Sequence, residues 1–136
     1  MQVRSAAGFT LIELLVAMSV VAILATIAIP SYTRYVQRGD LVEGTQALSQ
    51  YRVQMEQYYQ DNASYANGAA CGVVPPVTLV NFTLTCALNG NQAYLATATG
   101  RNAVNLFVYT IDQTNAQATP NAPAGWSTSA TSWVIR

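Results

Sequence analysis

The chain has 136 residues, 9% charged and 51% hydrophobic, with six arginines balancing six acids and no lysine or histidine. Typical soluble domains carry about 25% charged residues, so this is not a plain soluble globule. The length fits one domain, the scattered arginines make no nucleic-acid footprint on a single chain, and two cysteines without histidine leave zinc short of ligands.

Met1 to Gly8 precede the apolar run, with Arg4 as their one charged side chain. From Phe9 to Ile29 run 21 residues whose only ionisable side chain is Glu13. As a helix this run spans ~31 Å, about the hydrocarbon thickness of a bilayer, so the segment can cross a membrane. A secretory signal peptide has a shorter apolar core and a small-x-small cleavage site, and no Ala-x-Ala occurs in the run. Arg34 and Arg38 follow, four apart, and read as snorkelling contacts with headgroups or water. Because Arg4 stands on the other side of the span, counting positive charges leaves topology open.

Glu13 is the anomaly. A simple anchor gains nothing from a carboxylate in the membrane, and such a residue is a functional hypothesis that asks for a partner. With no cation in its own span, the group must be protonated, reach the interface, or meet a cation from another chain. A cut after Gly8 would create one, the free amine of Phe9. A pair between that amine and a neighbour's Glu13 would fix axial register more than add stability, since it must offset its own desolvation.

After Pro30, "YVQRGDLVEGTQALSQYRVQMEQYYQDN" places Leu41, Leu48, Tyr51, Met55, Tyr58 and Tyr59 at helical spacing, with glutamines and acids, Glu43 among them, on a wet stripe between. Pro30 should kink the junction, and Gly39 and Gly44 weaken the helix by ~1 kcal/mol each. The expectation is one bent helix of about 50 residues.

The stretch "NGAACGVVPPV" is turn-rich. Strand candidates then fall at 78–86, 92–99 and 105–111, joined by a hairpin turn in "CALNGNQ" and a second connection in "ATGRNAVN" as an antiparallel meander. Residues 114–119 and 132–135 are candidates for an edge strand, with "TPNAPAGW" read as loop. Cys71 and Cys86, beyond a membrane span, read as one disulfide in an oxidising compartment, with two free buried thiols as the alternative. The fold class expected is α+β, a long bent N-terminal helix packed by its C-terminal half on a small antiparallel sheet. Its parts are 1–8, an apolar half 9–29, an amphipathic half 30–62 and a sheet-bearing head 63–136.

Gly8, Phe9, Thr10, Leu11, Ile12 and Glu13, followed by about 20 apolar residues and Pro30, resemble the prepilin signature of type IV pilins. "YYQDNASYA", "YTIDQ" and "AGW" further resemble the PilE-like minor pilins. The resemblance implies that Met1 to Gly8 is a leader removed by a prepilin peptidase that also methylates the Phe9 amine. It implies that Glu13 recruits the subunit by pairing with a neighbour's Phe9, and that Pro30 marks the helix bend. The implied partners are other pilin subunits, the peptidase and methyltransferase, and an inner-membrane assembly platform. The subunit would sit in the bacterial inner membrane first and in a cell-surface pilus later, serving adhesion, twitching motility or DNA uptake. A filament of copies could contact nucleic acid where one chain does not.

Two departures stand out. Ala22 occupies a position where many pilins have glycine, and Ser132, not cysteine, precedes Trp133, so the C-terminal segment is expected to lack a staple and to be mobile. The competing readings are a pseudopilin of a type II secretion system and a lone membrane-tethered binding module. An enzyme is disfavoured: without histidine, and with the acids after the span scattered, no catalytic pair is visible, and no cofactor or metal is expected.

Overall fold

The computed structural model describes residues 8–135. They fall into two units, one ending at Val36 and the other beginning at Gln37, and the leader positions Met1 to Ala7 lie outside the described residues.

Helix α1 covers Leu11–Asn62, 52 residues with Pro30 inside it. In the first unit its apolar run has no partner: of the window that qualifies as a membrane span, none is buried. Pro30 has no amide hydrogen to give, so the carbonyl of Thr26 loses its usual donor.

In the second unit, α1 lies on a sheet. Its buried positions are Leu41, Gly44, Thr45, Ala47, Leu48, Tyr51 and Met55. The expected stripe holds at Leu41, Leu48, Tyr51 and Met55, while Tyr58 and Tyr59 are only half-buried. Gly44 is more than a weak point in the helix, because a Cβ there would sit 2.9 Å from the ring of Phe82. Its absence lets helix and sheet approach closely.

The sheet contains β3 (Phe82–Leu88), β4 (Tyr94–Gly100), β5 (Val108–Asp112) and β6 (Gln117–Asn121), in the order β3-β4-β5-β6 and antiparallel throughout. A short hairpin, β1 (Ala66–Asn67) with β2 (Ala70–Cys71), precedes it. The core joins the helix stripe to the inner face of the sheet, with Phe82, Leu84, Tyr94, Ala96, Ala98, Tyr109 and Ile111 all buried.

Three of the strands depart from their expected bounds for an identifiable reason. The first starts at Phe82, not Thr78, because Glu43 of the helix takes the amides of Val80 and Asn81 at 2.7 and 2.8 Å, engaging donors a ladder would need. The third starts at Val108, not Asn105, because residues 101–107 close a compact loop around a 3₁₀ turn, Asn102–Val104. There Val104 N–H donates to Arg101, Phe107 N–H to Val104 and Gly100 N–H to Phe107. The fourth runs on to Asn121, through two residues expected to be loop, since Pro120 lies on an edge strand where a missing donor is tolerated.

Residues 132–135 form no strand, and the segment expected to be mobile is docked. Thr119 and Ser129 make an isolated antiparallel bridge. Tyr109 donates its hydroxyl to Val134 O at 2.8 Å, Trp133 its indole N–H to Thr110 O at 2.9 Å, and Val134 N–H donates to Thr119 Oγ1 at 2.9 Å. These bonds hold the C-terminal segment without a cysteine.

Candidate functional site

Every side chain from Gly8 to Leu24 is exposed, so the expected cleavage point at Gly8 and Phe9 stands open. Space around Gly8 is empty within 4 Å of where a Cβ would be. Thr10 precedes the first helical residue, and Glu13 is the third residue of the helix. That spacing is a capping box. Thr10 donates to Glu13 Oε2 from its backbone N–H at 2.9 Å and from its hydroxyl at 2.7 Å, while Glu13 N–H donates to Thr10 Oγ1 at 3.3 Å.

The partner of this carboxylate thus lies within its own chain, a hydroxyl and an amide and not a cation, and Thr-x-x-Glu at the start of an apolar helix is its signal in the sequence. A carboxylate in the first turn also faces the positive end of the helix dipole, which favours it there without any second chain.

Three further hydroxyls of the apolar unit are satisfied just as locally. Ser19 donates to Leu15 O at 2.8 Å, Thr26 to Ile23 O at 2.7 Å and Thr33 to Ile29 O at 3.0 Å. A helix whose polar side chains return to its own carbonyls can enter hydrocarbon without orphaned donors.

In the second unit the segment between helix and sheet is tied at several points. Cys71 and Cys86 form the expected disulfide, bridging 15 positions. Tyr51 donates its hydroxyl to Val73 O at 2.7 Å, and burial pushes its pKa up to about 12, so it is a neutral donor at any physiological pH. Arg101 donates to the carbonyls of Leu79 and Phe82, and Asn102 Nδ2 to Val80 O at 3.2 Å. Glu43 and Arg101 thus clamp residues 79–82 from opposite ends of their peptide groups. Neither was singled out by sequence, where Glu43 read as wet and Arg101 as one scattered cation.

The outer face of the sheet is uncharged over most of its area. Thr83, Thr85, Thr97 and Thr99 pair across β3 and β4, as Thr83 with Thr99 and Thr85 with Thr97. At its far corner Asp112 accepts at Oδ1 from the Thr114 amide, the Thr114 hydroxyl and the Ala116 amide, at 2.7–2.9 Å. Partial burial pushes this carboxyl up, but those bonds, with the charge of Arg52, outweigh it and hold the pKa below the ordinary carboxylate value.

Comparison with known proteins matches both units. A family model described as type IV minor pilin ComP, DNA uptake sequence receptor, covers residues 30–123, and a prokaryotic N-terminal methylation motif covers residues 3–29. Fimbrial protein EcpC of Eikenella corrodens is 34% identical over 93 residues, 66% of this chain and 61% of that protein. A type IV major fimbrial protein FimA of Dichelobacter nodosus is 38% identical over 69 residues, 49% of this chain and 43% of that one. Prepilin peptidase-dependent protein D of Escherichia coli is 34% identical over 73 residues, 52% and 50% of the two chains. The aligned region therefore spans less than two thirds of each of these relatives. A solved type IV pilin from Shewanella oneidensis superposes with a TM-score of 0.47 at 15% identity, covering 66% of this chain and 97% of that one.

Proposed function

Since the chain belongs to the type IV minor pilin family, we propose that it is cut between Gly8 and Phe9, methylated on the new Phe9 amine, and built into a pilus through residues 9–29. The observation that carries this reading is the unburied apolar helix with its one carboxylate in the first turn. The capping box accounts for that carboxylate within one chain, and a filament gives it a second partner in the cleaved terminus of a neighbour, as an intramembrane ionisable group invites. In the unassembled subunit the capping box holds Glu13 in its place. On assembly the Phe9 ammonium of a neighbouring subunit replaces Thr10 as its main partner, a charge-assisted bond in a low-dielectric bundle.

Before assembly the span lies in the inner membrane with residues 37–135 on the periplasmic side, and afterwards those residues face outward on the pilus. The partners are other pilin subunits, the peptidase and methyltransferase, and the assembly platform. Pro30 sets the bend between the two halves of the helix. Mass spectrometry of purified pili tests the reading. The expected species begins at N-methyl-Phe9 and is scarce relative to the major subunit, and filament-derived chains that still begin at Met1 would sink it.

A second reading is favoured by the family's description as a DNA uptake sequence receptor. From Gln37 onward the sequence carries Arg38, Arg52, Arg101 and Arg136 against Asp40, Glu43, Glu56, Asp61 and Asp112. Four cations can neutralise at most four phosphates, so any DNA contact by one head leans on neutral donors such as the threonines of the outer face. Measured against salt, log K for duplex DNA should then fall with a slope no steeper than about −3.6. A steeper slope would place the contact on several subunits at once.

A further inference from the structure

We infer that the connection between β4 and β5, residues 101–107, rests on the anionic surface of the membrane while the subunit awaits assembly. This depends on reading residues 9–29 as a membrane span, and it adds a site that the pilin reading does not supply.

The starting point is a tether. Gln37 Nε2 donates to Ala103 O at 3.2 Å, so the 3₁₀ turn of this connection is fastened to the first residue of the second unit. Gln37 follows Ile29, the end of the apolar run, by eight residues. Eight helical residues advance ~12 Å, and the headgroup layer accounts for roughly half of that distance. The tether therefore fastens the connection to a point only that far along the chain from the end of the apolar run.

What the connection presents fits that surface. Arg38 and Arg101 are exposed, and Arg101 is braced by the carbonyls of Leu79 and Phe82. Within the loop Val104 and Phe107 are buried at 1% exposure, yet Leu106 between them is 51% exposed. An outward leucine in a loop that also carries Arg101, on a unit whose helix presents Arg38, can enter the headgroup layer while the cations meet phosphates. The acids nearest in sequence offer weak opposition: Glu43 is taken up by the amides of Val80 and Asn81, and Asp40 is half-buried. The same end of the second unit is freed when the span leaves the membrane, so the contact is confined to the waiting subunit.

The test uses the full chain in nanodiscs, either of phosphatidylcholine alone or with phosphatidylglycerol added. A nitroxide is attached through Leu106→Cys, through Ala87→Cys at the far end of β3, or through Ala22→Cys in the span. The native cysteines are bonded to each other and will not compete for label. With phosphatidylglycerol present, the label at 106 should collide with lipid-soluble oxygen more than with a water-soluble nickel complex, while the label at 87 stays aqueous. Arg38→Gln should lower the lipid-contacting population about fivefold, the effect of one basic residue at an anionic surface.

A label at 106 as water-exposed as that at 87, with the label at 22 in lipid, would overturn this inference and leave the pilin reading standing. A label at 22 in water would overturn both. If duplex DNA added to phosphatidylcholine discs shields residue 106 and phosphatidylglycerol does not, the surface belongs to nucleic acid and the inference fails.

Discussion

The two units of the chain satisfy their polar groups by opposite means. Among the described residues up to Val36 every side-chain bond closes within four residues: Glu13 with Thr10, Ser19 with Leu15, Thr26 with Ile23, Thr33 with Ile29. From Gln37 onward the bonds that join helix, loops and sheet span 22 to 66 positions: Tyr51 to Val73, Trp133 to Thr110, Tyr109 to Val134, Glu43 to Asn81, Gln37 to Ala103. A helix whose apolar run returns its hydroxyls to its own carbonyls can pass from lipid to a protein bundle without unfolding. A unit whose loops are bonded at long range holds its surface shape only while the whole of it is folded. The first suits a part that changes surroundings, the second a part that must present one face.

Substitutions can break that contrast unit by unit. Changing Glu13 to Gln should leave the melting of residues 37–135 untouched and cut incorporation into pili by at least about tenfold, the worth of one hydrogen bond to a charged group. Shearing pili from cells and quantifying the subunit by immunoblot measures this, and normal incorporation would end the proposed role of Glu13. Changing Cys86 to Ser should do the reverse, removing ~3 kcal/mol from the head for a closed loop of 15 positions. Calorimetry on the full chain in detergent should show its transition lowered by roughly 10–20 °C. Incorporation should then fall only in proportion to folded subunit.

Glu43 sharpens the comparison, because it is the head's counterpart of Glu13: each is a carboxylate accepting from backbone amides, but across 37 and 38 positions in one case and three in the other. Glu43→Ala should cost the head about 1.5–3 kcal/mol and expose the amides of residues 80 and 81 to hydrogen exchange. Protection unchanged at those two amides would show that the loop is fixed by the disulfide and Arg101 alone.

The same division explains what could be seen in advance. The span, its carboxylate, the helix stripe around Leu48, Tyr51 and Met55 and the alternation of β4 are local patterns, and sequence displays them. The start of β3 was displaced by a helix residue 37 positions away, the start of β5 by a loop folding onto itself, and the docking of Trp133 by carbonyls in another strand. None of these leaves a periodic trace. Glu13 is the instructive exception. Its partner was local and visible as Thr-x-x-Glu, but an ionised group suggested a counter-ion, and the amide and hydroxyl three residues upstream supply enough.

The smallest effect comes from the one acid on the sheet's outer corner. Asp112 is held below its ordinary pKa in the folded state, so its ionised form contributes stability that is fully present above the unfolded value and lost as pH falls through the folded one. Asp112→Asn keeps the acceptor oxygen for Thr114 and Ala116 but removes the charge. At neutral pH the substituted head should melt slightly below the unsubstituted one, and the gap should close as pH drops beneath the ordinary carboxylate range. A gap that stays constant with pH would mean that the turn at residues 112–116 depends on acceptor geometry alone. That outcome would make Asp112 resemble the self-contained polar groups of the span, a local closure within a unit otherwise tied at long range.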